Sequence, residues 1–126
     1  MVSMKEVRQS NDALKNGSAG LRALFVGATA GIGASAVKQF ATHAKTPTVY
    51  LAGRSQAKAS PLLAELKSLN PQATFIFIEA EVSLLKGVDK VCDEILAKEQ
   101  TLDLLWLSQG LLSFSGQQSE FPFQMF

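Results

Sequence analysis

Between an apolar run at residues 21–26 and an amphipathic stretch stands the turn Val26-Gly27-Ala28-Thr29-Ala30-Gly31-Ile32-Gly33, which constrains this chain more than any other feature. A short buried strand that ends in glycines and opens into a helix gathers backbone N–H groups and the positive helix end at one point, where a pyrophosphate can be held. Glycine serves there because a Cβ would obstruct the approach of backbone to ligand. The turn therefore reads as nucleotide-binding. Around it a βαβ unit is expected, with a helix to His43, a break at Thr46-Pro47 and a second strand at residues 48–52.

The alternation continues along the chain. Gly53-Arg54-Ser55 ends the second strand, and Ser60-Pro61 reads as an N-cap with proline at the first helical position. Leu62, Leu63, Leu66 and Leu69 form the apolar stripe of that helix, which Asn70-Pro71 stops before a third strand at residues 74–78. Ser83 reads as the cap of a further helix, in which Leu84, Leu85, Val88, Val91, Cys92, Ile95 and Leu96 keep helical spacing and Gly87 weakens it. A fourth strand at residues 102–107 is apolar apart from Asp103, the character of a parallel strand covered on both faces. The order βαβαβαβ predicts an α/β fold, a Rossmann-like doubly wound parallel sheet in strand order 3-2-1-4 with the glycine turn at its switch point. A weakly amphipathic helix at residues 3–14 is expected ahead of it. The chain thus divides into a lead-in at 1–20, a nucleotide-binding half at 21–110 and an irregular tail at 111–126, where Phe114, Phe121, Phe123 and Phe126 follow neither helical nor strand period.

Composition removes several function classes. With 12 basic and 11 acidic residues dispersed along 126 positions, the chain has no basic stripe for nucleic acid and no polybasic anchor for a membrane surface. No apolar run approaches the roughly 20 residues that span a bilayer. The polar N-terminal stretch lacks the apolar core of a secretory signal. The sole cysteine, Cys92, cannot form an internal disulfide and is expected as a reduced, buried thiol, which fits a cytoplasmic setting.

The spacing Gly27-x-x-x-Gly31-x-Gly33 resembles that of the short-chain dehydrogenases/reductases, whose form is Thr-Gly-x-x-x-Gly-x-Gly, with Val26 here in place of the threonine. The resemblance extends over residues 21–110. It implies that Gly27 allows the tight turn, Gly31 the approach of the phosphates and Gly33 the packing of the helix, with Thr29 in the same turn and the Ile32 N–H facing the pyrophosphate. In NAD-selective sites an acidic residue near the end of the second strand binds the ribose. Here Gly53 stands there, followed by Arg54 and Ser55. A guanidinium suits a 2′-phosphate through paired donors and permanent charge, so the expected cofactor is NADP(H). The alternative is a solvated surface arginine. Glu81-Val82-Ser83 occupies the place of the family's aspartate and apolar residue near the adenine, and Leu107-Ser108-Gln109-Gly110 that of its Asn-Asn-Ala-Gly. Ser108 and Gly110 would then line the cofactor, although a strand-end serine can equally serve to satisfy a backbone group. The Leu-Ser-Gln-Gly form looks like a branch found among fungal enzymes, some of them in secondary-metabolite clusters.

The family's reducing step needs an acid for the developing alkoxide, supplied by Tyr-x-x-x-Lys. The single tyrosine, Tyr50, is followed four positions later by Arg54 and reads as a strand residue. His43, the single histidine, reads as a helix-end residue, so no catalytic residue and no metal site are assigned. The expectation is an NADP(H)-dependent oxidoreductase truncated after about four strands and inactive alone, its substrate a small-molecule carbonyl or alcohol bound by a longer form. The alternative is a non-catalytic module that binds NADP(H) or pairs with a partner. An open apolar edge at the fourth strand predicts self-association. A methyltransferase is disfavoured by Gly53-Arg54, and a P-loop hydrolase by the lack of Gly-Lys-Ser/Thr after the glycines.

Overall fold

The computed structural model of the chain describes residues 1–110, so the tail expected at 111–126 lies outside the described residues. An N-terminal helix α1 (Met4–Asp12) runs into a short 3-10 turn (Ala13–Asn16). Strands and helices then alternate as β1 (Arg22–Val26), α2 (Gly31–His43), β2 (Thr48–Gly53), α3 (Gln56–Leu69), β3 (Thr74–Glu79), α4 (Leu85–Lys98) and β4 (Leu104–Leu107). All neighbouring strands are parallel and the sheet order is β3-β2-β1-β4, as the alternation predicts. The register pairs Val26 with Ala52 on one side and with Leu107 on the other, which aligns the three strand ends next to the glycine turn.

Period-two side chains divide the core into two layers. Ala23 and Phe25 of β1 with Val49 and Leu51 of β2 face α2 and α3, where Val37, Ala41, Leu62 and Leu66 complete a buried cluster. Leu24, Val26, Tyr50, Ala52 and Ile78 face the opposite way, onto Val91 and Ile95 of α4. Among the described residues two helices thus cover one face and a single helix the other.

The structure corrects several local expectations. Helix α3 begins five residues before Pro61, because Ser55 caps it by accepting from the Lys58 N–H at 3.3 Å. Pro61 lies inside the helix on its exposed side, where the Ser60 hydroxyl bonds back to the Gln56 carbonyl at 2.9 Å. Ser83 is not the cap of α4. The N-cap is Leu84, which has no side-chain capping bond, and the Ser83 hydroxyl donates instead to Glu81 Oε1 at 2.8 Å. Cys92 is exposed rather than buried, since the stripe that α4 sinks into the sheet is Gly87, Val91 and Ile95, and Cys92 stands one position, about 100°, off that line. Strand β4 is not covered on both faces by the described residues. Leu104 and Trp106 are half-buried against the α2 side, whereas Leu105 and Leu107 are 54% and 60% exposed.

Candidate functional site

Every residue singled out by the sequence for cofactor contact lies after a strand or in the turn that follows it, along the carboxyl edge of the sheet. This edge is where open α/β sheets bind ligands. At its centre, Gly27 has φ +76° and Gly31 φ +59°, both in the left-handed region. A Cβ on Gly27 would collide with the backbone of Ser108 and Gln109, so the close approach of the β4 end to the β1 end depends on a bare Cα. Gly33 is the corresponding position in α2, where a Cβ would lie 2.7 Å from Ala28 Cα, Gly27 O and Ser108 Oγ. At Gly31, by contrast, a Cβ would meet nothing within 4 Å.

Helix α2 opens onto this turn without a cap. Ala30 is its N-cap and provides no side-chain bond, and the first amide with a partner is Ala34, to the Ala30 carbonyl at 3.3 Å. The N–H groups of Gly31, Ile32 and Gly33 therefore have no partner among the described residues, at the positive end of a 13-residue helix, and the Ile32 side chain is 81% exposed. Such an end can hold an anionic group. Thr29 is exposed beside it. Its methyl approaches the Gly53 Cα closely enough that a Cβ on Gly53 would lie 3.1 Å from it and 3.3 Å from Phe77 Cζ. Gly53 is thus a packing residue between the turn and β3.

On the other side of the turn, Ser108 donates from Oγ to the Gly27 carbonyl at 3.0 Å and from its N–H to the Val26 carbonyl at 2.9 Å. Its hydroxyl proton is used to tie β4 to the glycine turn, the backbone role that stood as the alternative. Gly110 is exposed, and a Cβ added there would meet nothing within 4 Å among the described residues.

Arg54 and Ser55 follow β2, with Arg54 exposed and Ser55 spent on the α3 cap. Arg54 lines an open cavity of about 420 Å³ together with Glu79, Ala80, Glu81, Lys86, Gly87 and Lys90. Val82, half-buried, packs against the α4 side of the core. The Glu81 carboxylate is drawn back over its own turn by the Ser83 hydroxyl at 2.8 Å and the Ser83 N–H at 3.4 Å. Glu79 accepts the Gln56 N–H at 3.1 Å, and Lys90 donates to the Glu79 carbonyl at 2.6 Å. Lys86, Gly87 and Lys90 were not singled out as site residues by sequence. The signal was there as two lysines at i and i+4 just beyond Glu81, but nothing local says that the start of α4 leans over the end of β2.

Neither of the two other chemically suggestive residues is near this edge. Tyr50 is buried in β2 and its hydroxyl donates to Glu99 Oε1 at 2.8 Å, while Glu99 Oε2 pairs with Arg22 Nε at 2.6 Å. Arg22 starts β1 and Glu99 follows α4, so this cluster marks the amino edge of the sheet. Burial first, then the bond to Glu99 and its negative charge, push the Tyr50 phenol up to about 12. His43 ends α2 with Nδ1 2.8 Å from the Gln39 carbonyl and Nε2 3.6 Å from Asp12. No group of three potential metal ligands occurs among the described residues.

Fold and carboxyl-edge geometry together are those of a dinucleotide-binding α/β layer. The family model for short chain dehydrogenase matches residues 22–125, and the chain belongs to that family, the short-chain dehydrogenases/reductases. It is similar to oxidoreductase AN1596 of Emericella nidulans, with 44% identity over 117 residues that cover 93% of this chain and 35% of the relative. It is likewise similar to the short-chain dehydrogenase/reductase SAT2 of Stachybotrys chartarum, at 30% identity over 88% of this chain and 35% of that protein. The chain spans a little over a third of the length of these fungal relatives. Among solved structures, L-sorbose reductase of Gluconobacter frateurii, complexed with NADPH and L-sorbose, superposes with a TM-score of 0.68 at 22% identity, covering 79% of this chain and 36% of that one. No helix among the described residues is long and apolar enough to cross a membrane.

Proposed function

We propose that this chain is the cofactor-binding part of an NADP(H)-dependent oxidoreductase whose substrate is a small-molecule carbonyl or alcohol. When bound, such a cofactor supplies or accepts the hydride. The residues present suit it: the free amides of Gly31, Ile32 and Gly33 face the position of an anionic bridge, and Gly31 leaves that approach open. The observation that carries the NADP(H) preference is Arg54, which directly follows Gly53, the place of the acidic ribose ligand of NAD-selective sites, and makes no hydrogen bond or ion pair with any described residue. Tyr50 does not serve as the acid of a carbonyl reduction, because it is buried at the other edge of the sheet and bonded to Glu99. A cytoplasmic setting belongs to the same reading, supported by the free, exposed Cys92 thiol.

Titration of the 126-residue chain with NADPH and NADH, followed by nicotinamide fluorescence, tests this reading. The expected result is saturable binding, tighter for NADPH, with the preference reduced about tenfold or more in Arg54→Ala. Equal affinity for the two cofactors would overturn the NADP(H) preference. A second reading, pairing through the sheet edge, is favoured by Leu105 and Leu107, which are exposed on a strand with no outer neighbour among the described residues.

A further inference from the structure

We propose that Lys86 is a second cationic ligand for the ribose 2′-phosphate, reaching the same cavity from α4 that Arg54 reaches from the β2 end. This rests on the NADP(H) reading and names the residue that would complete its specificity. The cavity holds three cations, Arg54, Lys86 and Lys90, and two carboxylates, Glu79 and Glu81. Both carboxylates are already engaged by backbone or hydroxyl donors, Glu79 by the Gln56 N–H at 3.1 Å and Glu81 by the Ser83 hydroxyl at 2.8 Å. Lys90 is committed to the Glu79 carbonyl at 2.6 Å. Arg54 and Lys86 remain, both exposed and neither making a hydrogen bond or ion pair to another described residue. The three cations outnumber the two carboxylates by one, and the two whose donors are unspent are Arg54 and Lys86. A dianion bridging the planar fork and the ammonium meets net positive charge and gains charge-assisted hydrogen bonds.

Placement separates this cavity from the pyrophosphate position. The glycine turn lies where β1 meets β4, whereas the cavity lies at the ends of β2 and β3, one to two strand spacings away, or about 5–10 Å. That separation suits the adenosine end of a dinucleotide. Gly87 makes the approach of Lys86 possible, because its bare Cα is pressed against the Glu81 carbonyl and draws the first turn of α4 onto the end of β3.

The test measures binding of adenosine 2′,5′-bisphosphate and of 5′-AMP to the 126-residue chain by calorimetry, in the wild type, Lys86→Met, Lys86→Arg and Arg54→Ala. Lys86 is exposed and unbonded, so circular dichroism melts of Lys86→Met are expected to match the wild type. The expected result is a wild-type preference for the bisphosphate that falls about five- to tenfold in Lys86→Met, with 5′-AMP affinity unchanged and Lys86→Arg restoring most of the loss. A preference lost in Arg54→Ala but intact in Lys86→Met overturns the role of Lys86 and leaves the NADP(H) reading standing. A wild type that does not distinguish the two nucleotides overturns both.

Discussion

Gly87 shows how one missing atom can set a site. Within its own helix it looks like a weakness, since glycine in a helix interior costs about 1 kcal/mol relative to alanine. In the fold its Cα is packed on the Glu81 backbone, and an added Cβ would overlap that carbonyl. Gly87→Ala should therefore destabilise the chain by about 1–3 kcal/mol, against the helix propensity gain, as a lower urea midpoint. Tyr50 is the second residue whose meaning lies in its contacts. Its folded phenol is raised to about 12 from an ordinary value near 10, so the fold favours the protonated form. The stability it adds is complete below pH 10 and is lost as pH rises through 12. Urea melts from pH 9 to pH 12 should show this decline in the wild type and a shallower one in Tyr50→Phe, which should also cost about 1 kcal/mol at neutral pH through the lost bond to Glu99.

Among the elements, helix α1 differs from the others in burying no residue at all. A capping box holds its start, with the Ser3 N–H donating to Glu6 Oε2 at 2.7 Å and the Glu6 N–H to Ser3 Oγ at 3.2 Å. The Ser3 N–H, and after it the Ser3 hydroxyl, hold the Glu6 carboxyl below its usual range, so the support that this contact gives α1 is present above the ordinary carboxylate pKa and fades as pH falls below it. Because no core contact backs the cap, Ser3→Ala should lower hydrogen-exchange protection of the α1 amides about fivefold and leave the unfolding midpoint of the sheet unchanged. Helices α3 and α4 were visible as periodic leucine and valine stripes, but their first turns were not. The sequence offers Ser60-Pro61 as the start of α3, whereas the helix begins at Gln56 with Ser55 as its cap, and Ala59 in the added turn is fully buried.

The molecule as described is asymmetric, with α2 and α3 on one face and α4 alone on the other. Among the described residues strand β4 pairs only with β1 and exposes Leu105 and Leu107, an arrangement that invites pairing with another chain. Sedimentation velocity over a range of concentrations should show reversible self-association. It should weaken in a Leu105→Lys, Leu107→Lys double variant, whose changes face solvent and leave the Phe25–Trp106 packing intact. A monomer at all concentrations in the wild type would remove the edge as an interface.

The strand order and the opening of α2 directly after β1, at Gly27, Gly31 and Gly33, were legible in the chain itself, because they depend on neighbours close in sequence and on the handedness of parallel crossovers. The exposure of Cys92, the fit of Gly87 against Glu81 and the meeting of Arg54 with Lys86 at one cavity were decided only by the packing of α4 against the sheet. Periodicity states which residues share a helix face, but the rotation and the close approach of that helix are settled by the surface it meets.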